Sequence, residues 1–232
     1  MSFEISRRDV LGRIGILETK SGKLETPALF PVVNPLVQEI SPREMFERLG
    51  CKALITNAYL ISRRSQNAGM TNIHEFLDFP GIIATDSGAY QILRYGEVEI
   101  TSLEVIRYQE SIQTDIGVIL DLPTGSRASK TRAAETVRET IKRADEAKKA
   151  ITRRDIAWVG PIQGGQYRDL IARSAREMSA RAFDIYALGS PTEIMEQYLF
   201  ADLVDMIFTA KTQLPSNTPF HLFGAGHPFM LA

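Results

Sequence analysis

The chain has few of the residues that hold a fold together by chemistry rather than packing. It carries a single cysteine, Cys51, among 232 residues, which excludes an internal disulfide and any cysteine-only zinc site within the chain. Charge of one sign is also lacking. Lys and Arg number 27 against 28 Asp and Glu, for a net charge of −1, so there is no global attraction to nucleic acid and any RNA contact needs a local basic patch. No apolar run approaches the roughly 18 residues of a membrane span. The opening MSFEISRRDV has no apolar core of signal-peptide length, and the expectation is a cytoplasmic protein with no membrane partner. Linkers, low-complexity tracts and internal repeats are absent too. What remains is a 44% hydrophobic, 24% charged chain of ordinary globular composition, long enough for one large domain or at most two small ones.

Short apolar runs alternate with amphipathic stretches. The strand-like runs are PALFPVV (27–33), KALITNA (52–58), GIIATDS (81–87), IGVILDL (116–122), IAWVGPIQ (156–163), DIYALG (184–189) and PFHLFGAG (219–226). Between them lie helical patterns. SPREMFERLG has Ser41 placed to cap, Pro42 in the first turn and Gly50 at the stop, and residues 129–151 form the longest stretch. Strand starts recur about every 25–35 residues, the length of a βα unit. The strands are continuous apolar runs, as in a parallel sheet buried on both faces. Residues 3–5 and 13–18, around Gly12, read as a small antiparallel hairpin covering the bottom of the sheet. Periodicity fits either a (β/α)8 barrel one unit short or a doubly wound sheet.

The polar residues fall at strand ends. Asp86 ends the third run, Asp121 the fourth, Gln163 the fifth, Gly189 and Ser190 the sixth, and Gly224-Ala225-Gly226 the seventh. Each has a bland explanation: Asp86 caps a helix or closes an Asx turn, DLPTG (121–125) is a turn, and Gln163 precedes a Gly-Gly turn that enters a helix at Gln166. Five consecutive strands that deliver acid, acid, amide, glycine and glycine to one rim favour a barrel mouth, where active sites are built. Two acids in one pocket divide the labour of displacing a group from a sugar, or one of them binds rather than reacts. A carboxylate accepts two N–H bonds side by side, which suits the edge of a guanine-like base. Tyr90 is placed to stack on a base or to pack in a core. No Cys or acid completes metal-ligand spacing around His221 and His227, so no metal site is expected there, and His221 reads as a satisfied core histidine. The pairs Arg7-Arg8, Arg63-Arg64 and Arg153-Arg154 are phosphate contacts or solvated surface.

Together these motifs resemble the catalytic domain of the tRNA-guanine transglycosylases, most closely the archaeal form. The matching pieces run in family order over essentially the whole chain: ETPALFPVVNP (25–35), LITNAYLI (54–61), TDSGAYQ (85–91), DIGVILDLPT (115–124), PIQGGQY (161–167), ALGS (187–190) and LFGAGHP (222–228). The resemblance implies a TIM barrel that exchanges a guanine of the tRNA D-arm for 7-cyano-7-deazaguanine (preQ0) in archaeosine biosynthesis. The family works without ATP, through a covalent carboxylate–ribose intermediate. It implies that Asp86 acts in catalysis with Ser87 beside it, that Tyr90 stacks on the base, and that Asp121 and Gln163 read its edge. The backbone of the Gly189-Ser190 loop contacts the same base.

The chain departs from the family pattern in three places. The family loop is usually Gly-Gly where this sequence has Gly189-Ser190, and members often carry Phe where Tyr90 stands. The sequence also stops at GHPFMLA. Measured against the resemblance, the eighth βα unit with a second catalytic Asp, the zinc site of three Cys and a His, and the RNA-binding domain are not in this chain. Zinc therefore belongs to the expected full-length protein and not to residues 1–232, which are expected to form one incomplete barrel domain. The expected partners are tRNA, a guanine or 7-deazaguanine base, and either a second copy or a complementing C-terminal chain. Two other readings stand beside this one: a non-catalytic or split subunit that binds base or tRNA, and an unrelated barrel enzyme holding a phosphate at Gly224-Ala225-Gly226.

Overall fold

A computed structural model describes residues 1–9, 12–34, 37–65, 70–89, 100–125, 127–189 and 191–226. The chain opens with an antiparallel sheet of β1 (Ser2–Asp9), β2 (Gly12–Thr19) and β3 (Gly22–Thr26). The sequence predicts only a hairpin here. The third strand, GKLET, buries a single apolar residue, Leu24, so its strand character comes from pairing with β2 and leaves little trace in its own pattern.

The second sheet is parallel, with strands β4 (Ala53–Asn57), β5 (Ile82–Asp86), β6 (Ile116–Val118), β7 (Ala157–Ile162), β8 (Ile185–Leu188) and β9 (Phe220–Leu222) paired in chain order. Helices connect them: α2 (Ala58–Ser65) and α3 (Ile73–Leu77), then α4 (Ser102–Ser111), α5 (Lys130–Ala150), α6 (Arg168–Ser179), and last α7 (Thr192–Glu196) with α8 (Phe200–Lys211). A doubly wound sheet reverses its strand order partway; six strands advancing in one direction curl toward a barrel instead. The alternative left open by periodicity is thereby decided in favour of a TIM-like half-barrel. The predicted first strand, 27–33, is present only as a parallel bridge from Val32 to Ile55, with Val33 N–H and Pro31 C=O bonded to Ile55 at 2.8 and 2.9 Å. Pro27 and Pro31 have no N–H to give a ladder, which limits the pairing to this one point.

Alternation along the strands divides the core in two. Ala53, Ile55, Ile82, Ala84, Ile116, Val118, Ala157, Val159, Ile185 and Ala187 face inward, where Leu17 and Leu24 of the first sheet pack on them. Their neighbours Trp158, Ile162, Tyr186 and Leu188 pack outward against helices such as α5 and α6. The helices follow their local signals. Before α1 (Pro42–Leu49), Ser41 accepts from Glu44 N–H and Gly50 closes the helix at φ 68°. Ser129 caps α5 in the same way.

The first sheet does cover the sheet's lower end. Its β2–β3 turn docks beside the start of β6, where Lys20 Nζ donates to Thr114 C=O (2.8 Å) and Ser21 Oγ to Asp115 Oδ1 (2.6 Å). Fully buried Asp115 also accepts Ile83 N–H at 2.8 Å and faces His74 Nε2 at 3.1 Å.

Candidate active site

The inward register places two polar residues and a glycine one step beyond the last apolar inward side chain of their strands. Asp86 follows Ile82 and Ala84, Gln163 follows Val159 and Pro161, and Gly189 follows Ile185 and Ala187. Asp121 joins them from the loop after β6. Asp86 is half-buried and lies at the tip of β5. Asn57, at the tip of β4, donates Nδ2–H to Asp86 Oδ2 at 3.4 Å. Burial pushes the Asp86 carboxyl up to about 6, against the opposite pull of N–H bonds from Ser87 and Gly88. The carboxylate thus gathers the backbone of its own turn, as an Asx residue does, while standing at the sheet's mouth. Gly88 has φ +89°, and a Cβ there would lie 2.4 Å from Tyr59 Cβ, so only glycine allows the turn.

Asp121 is 7% exposed. Burial, with the Asp86 charge as the second cause, pushes its carboxyl up to about 7. Gln163 Nε2 donates to Asp121 Oδ2 at 2.5 Å, and Arg143 from α5 holds the Asp121 carbonyl at 2.8 Å. The Gln163 amide is itself oriented, since its Oε1 accepts Thr124 N–H at 2.9 Å and its backbone N–H donates to Ser174 Oγ at 3.0 Å. Gly189 leaves room for this arrangement: a Cβ there would come within 2.2 Å of Gln163 Nε2. Two buried acids with raised proton affinity, one of them raised further by the charge of the other and locked to an amide, can bind a hydrogen-bonding edge and move protons near neutral pH.

The structure therefore brings Asp86, Asp121, Gln163 and Gly189 to one rim. Ser87 is fully buried beside Asp86, and its hydroxyl has no hydrogen-bond partner among the described residues. Tyr90, Ser190 and His227 lie outside the described residues. The helix predicted at Gln166 starts instead at Arg168, after the Gly164-Gly165 turn. His221 is only partly a core histidine. It is half-buried and meets the edges of Phe30 and Phe223, with ring centroids at 6.0 and 4.7 Å, and it makes no hydrogen bond among the described residues. Burial pushes its imidazole down to about 4. Sequence reasoning gave no role to Asn57, Gln109 or Arg143. Gln109 joins Thr85 Oγ1 to the N–H and C=O of Val118 at 2.7–3.0 Å, and so fixes β5 against β6 under the two acids. Only Asn57 carried a signal, as a polar residue at a strand end like Asp86. Among the described residues no three His, Cys, Asp or Glu side chains converge to hold a metal ion such as zinc.

Fold and site together define an α/β domain on a curled parallel sheet, with a buried acid pair and an oriented amide at the C-terminal strand ends. The chain belongs to the queuine tRNA-ribosyltransferase family, whose sequence model matches residues 9–232. It is 46% identical over 99% of its length to a tRNA-guanine(15) transglycosylase of Sulfolobus acidocaldarius, and it covers 46% of that protein. The proteins of the same name from Pyrobaculum aerophilum (48% identity, 46% of its length covered) and Pyrococcus furiosus (40% identity, 40% covered) are similar over the whole chain. The chain thus spans less than half the length of these relatives. No helix among the described residues is long and apolar enough to cross a membrane.

Proposed function

We propose that the chain is the base-exchanging barrel portion of a tRNA-guanine transglycosylase, taking a D-arm guanine out of tRNA and inserting 7-cyano-7-deazaguanine for archaeosine. The acid pair carries this reading. Two carboxyls, one at the tip of β5 and one in the loop after β6, rest at about 6 and about 7, beside an amide fixed at 2.5 Å from one of them. Asp121 and Gln163 together present acceptor and donor groups to the edge of a purine. Asp86, whose carboxyl at about 6 leaves roughly a tenth of it protonated at pH 7, gives a proton to the departing base and takes one from the incoming base. Chemistry at the anomeric carbon also requires a carboxylate on the sugar, and one acid does not easily hold both positions. On this reading that second acid comes from a C-terminal segment or partner chain, and tRNA and the free base are the ligands.

Incorporation of radiolabelled guanine into unmodified tRNA tests the proposal, with the chain alone, with a relative's C-terminal segment supplied, and with Asp86→Ala in the supplied form. Exchange is expected only with the segment, and Asp86→Ala is expected to lower it by about 10²–10⁴-fold. Full exchange by supplemented Asp86→Ala removes Asp86 from the chemistry. Robust exchange by the chain alone makes Asp86 the nucleophile. Base binding without exchange under every condition supports the binding-subunit reading instead.

A further inference from the structure

One face of α5 grips the loop that carries Asp121. Thr136, Thr140 and Arg143 follow one another four and three residues apart, so their side chains line up on one side of the helix. Each meets a residue of the segment 121–124, in reversed order. Thr136 Oγ lies 2.5 Å from Thr124 Oγ, Thr140 Oγ accepts Leu122 N–H at 3.0 Å, and Arg143 Nη1 donates to the Asp121 carbonyl at 2.8 Å. Thr124, Thr136 and Thr140 are fully buried. Arg143 is partly buried and aimed from behind, because its Nε donates to Glu139 Oε1 at 3.0 Å one turn earlier in α5. Glu139 in turn pairs with Lys142 at 3.7 Å. Two hydroxyls suffice to hold Thr124 and Leu122. At Asp121 the helix supplies a guanidinium instead, and so brings a positive charge beside an acid whose own charge is disfavoured by burial.

We propose that Arg143 is a positioning residue for Asp121: from α5 it fixes the loop and favours the ionised carboxylate that accepts the N–H edge of the base. This rests on the base-reading role given to Asp121 above. Burial raises the proton affinity of the Asp121 carboxyl most, and the charge of Asp86 at the tip of β5 adds to it; the Gln163 amide from β7 and the Arg143 charge from α5 act against both. Glu139 and Lys142 lie behind Arg143 with opposite charges. Because the carboxyl rests at about 7, a change in any of these influences alters its ionised fraction at neutral pH. The hydrogen bond of Arg143 goes to the Asp121 backbone, so its effect on the carboxyl is exerted through space, in surroundings where burial weakens screening. Arg143 thus acts on the base only through Asp121.

The test pairs calorimetric titration of the chain with guanine, from about pH 6.5 to about pH 8.5, with the ¹³C carboxyl titration of Asp121, assigned by its loss in Asp121→Asn. In Arg143→Gln the Asp121 midpoint should move up. Guanine binding should weaken about three- to eightfold at the lower pH and return to within about twofold of the parent at the higher. Arg143→Lys keeps a cation and should titrate close to the parent. Thr140→Val releases Leu122 without changing any charge, so it should weaken guanine by the same factor at every pH and leave the midpoint in place. Glu139→Gln, a change on the outer side of α5, removes the anion beside Arg143 and should move the midpoint down; it keeps the test open if Arg143→Gln fails to fold by circular dichroism. An unmoved midpoint in Arg143→Gln and Glu139→Gln, or a loss of guanine binding in Arg143→Gln that is equal at every pH, overturns the role of Arg143. Absence of guanine binding by the parent at every pH overturns instead the base-reading role of Asp121, and the carboxyl titration tells the two failures apart.

Discussion

Asp121 is held where its charge is costly. Its carboxyl at about 7 and that of Asp86 at about 6 both lie above the ordinary 3.8, so folding favours their protonated forms. Their contribution to stability is full below about pH 4 and is lost as the pH rises through those values. Asp121→Asn keeps an acceptor for Gln163 and cannot ionise. The difference in unfolding free energy between Asp121→Asn and the parent should therefore grow from pH 4.5 to pH 7.5, to roughly 2–4 kcal/mol. His221, low at about 4, acts in the opposite direction but is common to both proteins and cancels. The same variant should lose guanine affinity by about 1.5–3 kcal/mol, since a charged acceptor is replaced by an amide. Denaturant titrations across pH together with calorimetry of base binding check both halves. An unchanged pH profile would show that Asp121 is not buried as a charge. Gly189→Ala belongs to the same scale: its Cβ would fall 2.2 Å from Gln163 Nε2. Overpacking of about 1–3 kcal/mol and loss of base binding are expected, and binding equal to the parent would clear Gly189 of the site. Asp86, Asp121 and Gln163 were visible in the sequence because each ends an apolar run. Their coupling was not visible, since Asp86 and Asp121 lie 35 residues apart in the sequence and Asp121 and Gln163 lie 42 apart, and only the fold brings them together.

Elements are joined by buried side chains that look unremarkable in sequence. Gln109, inside α4 and fully buried, bonds the Thr85 hydroxyl and both backbone groups of Val118. It thereby sets the spacing of β5 and β6, whose ends carry the two acids. Gln109→Leu would fill similar space and leave those groups without partners. A loss of roughly 2–5 kcal/mol is expected, read as a lower urea midpoint with unchanged slope, and a change within error would dismiss the bridge. In sequence Gln109 is one polar residue among several in SLEVIRYQES, and helical periodicity gives no reason to single it out. Asp115 is similar. Its position before β6 reads as a loop acid, yet it receives Ile83 N–H, Ser21 Oγ–H and His74, and so ties the first sheet to the base of the second.

Among the described residues the parallel sheet ends in two edges, and exposed apolar side chains gather near one of them. Among the described residues β9 pairs only with β8, and beyond β4 there is only the Val32 bridge. Beside β9, α8 and the turn before it expose Val204 at 62%, Tyr198 at 50% and Phe200 at 46%. Unpaired edges and a grouped apolar patch promote association. The chain should therefore self-associate, and Val204→Lys combined with Phe200→Glu should shift its mass by light scattering toward the monomer. A parent that runs as a monodisperse, cooperatively unfolding monomer rules this out.

The sequence by itself determined the order of βα units, the helix cap at Ser41, and the strand-end positions of Asp86, Asp121, Gln163 and Gly189. These follow from local rules: apolar runs, hydroxyl caps, and polar residues placed where a strand meets solvent. Only the tertiary structure decided between a curled and a doubly wound sheet, because the choice rests on which strands pair, and both arrangements use the same apolar runs. It also added β3, reduced the segment 27–33 to a bridge, and set the proton affinities of the two acids. Those depend on burial and on a neighbouring charge, which a linear pattern does not contain until distant strands share one rim.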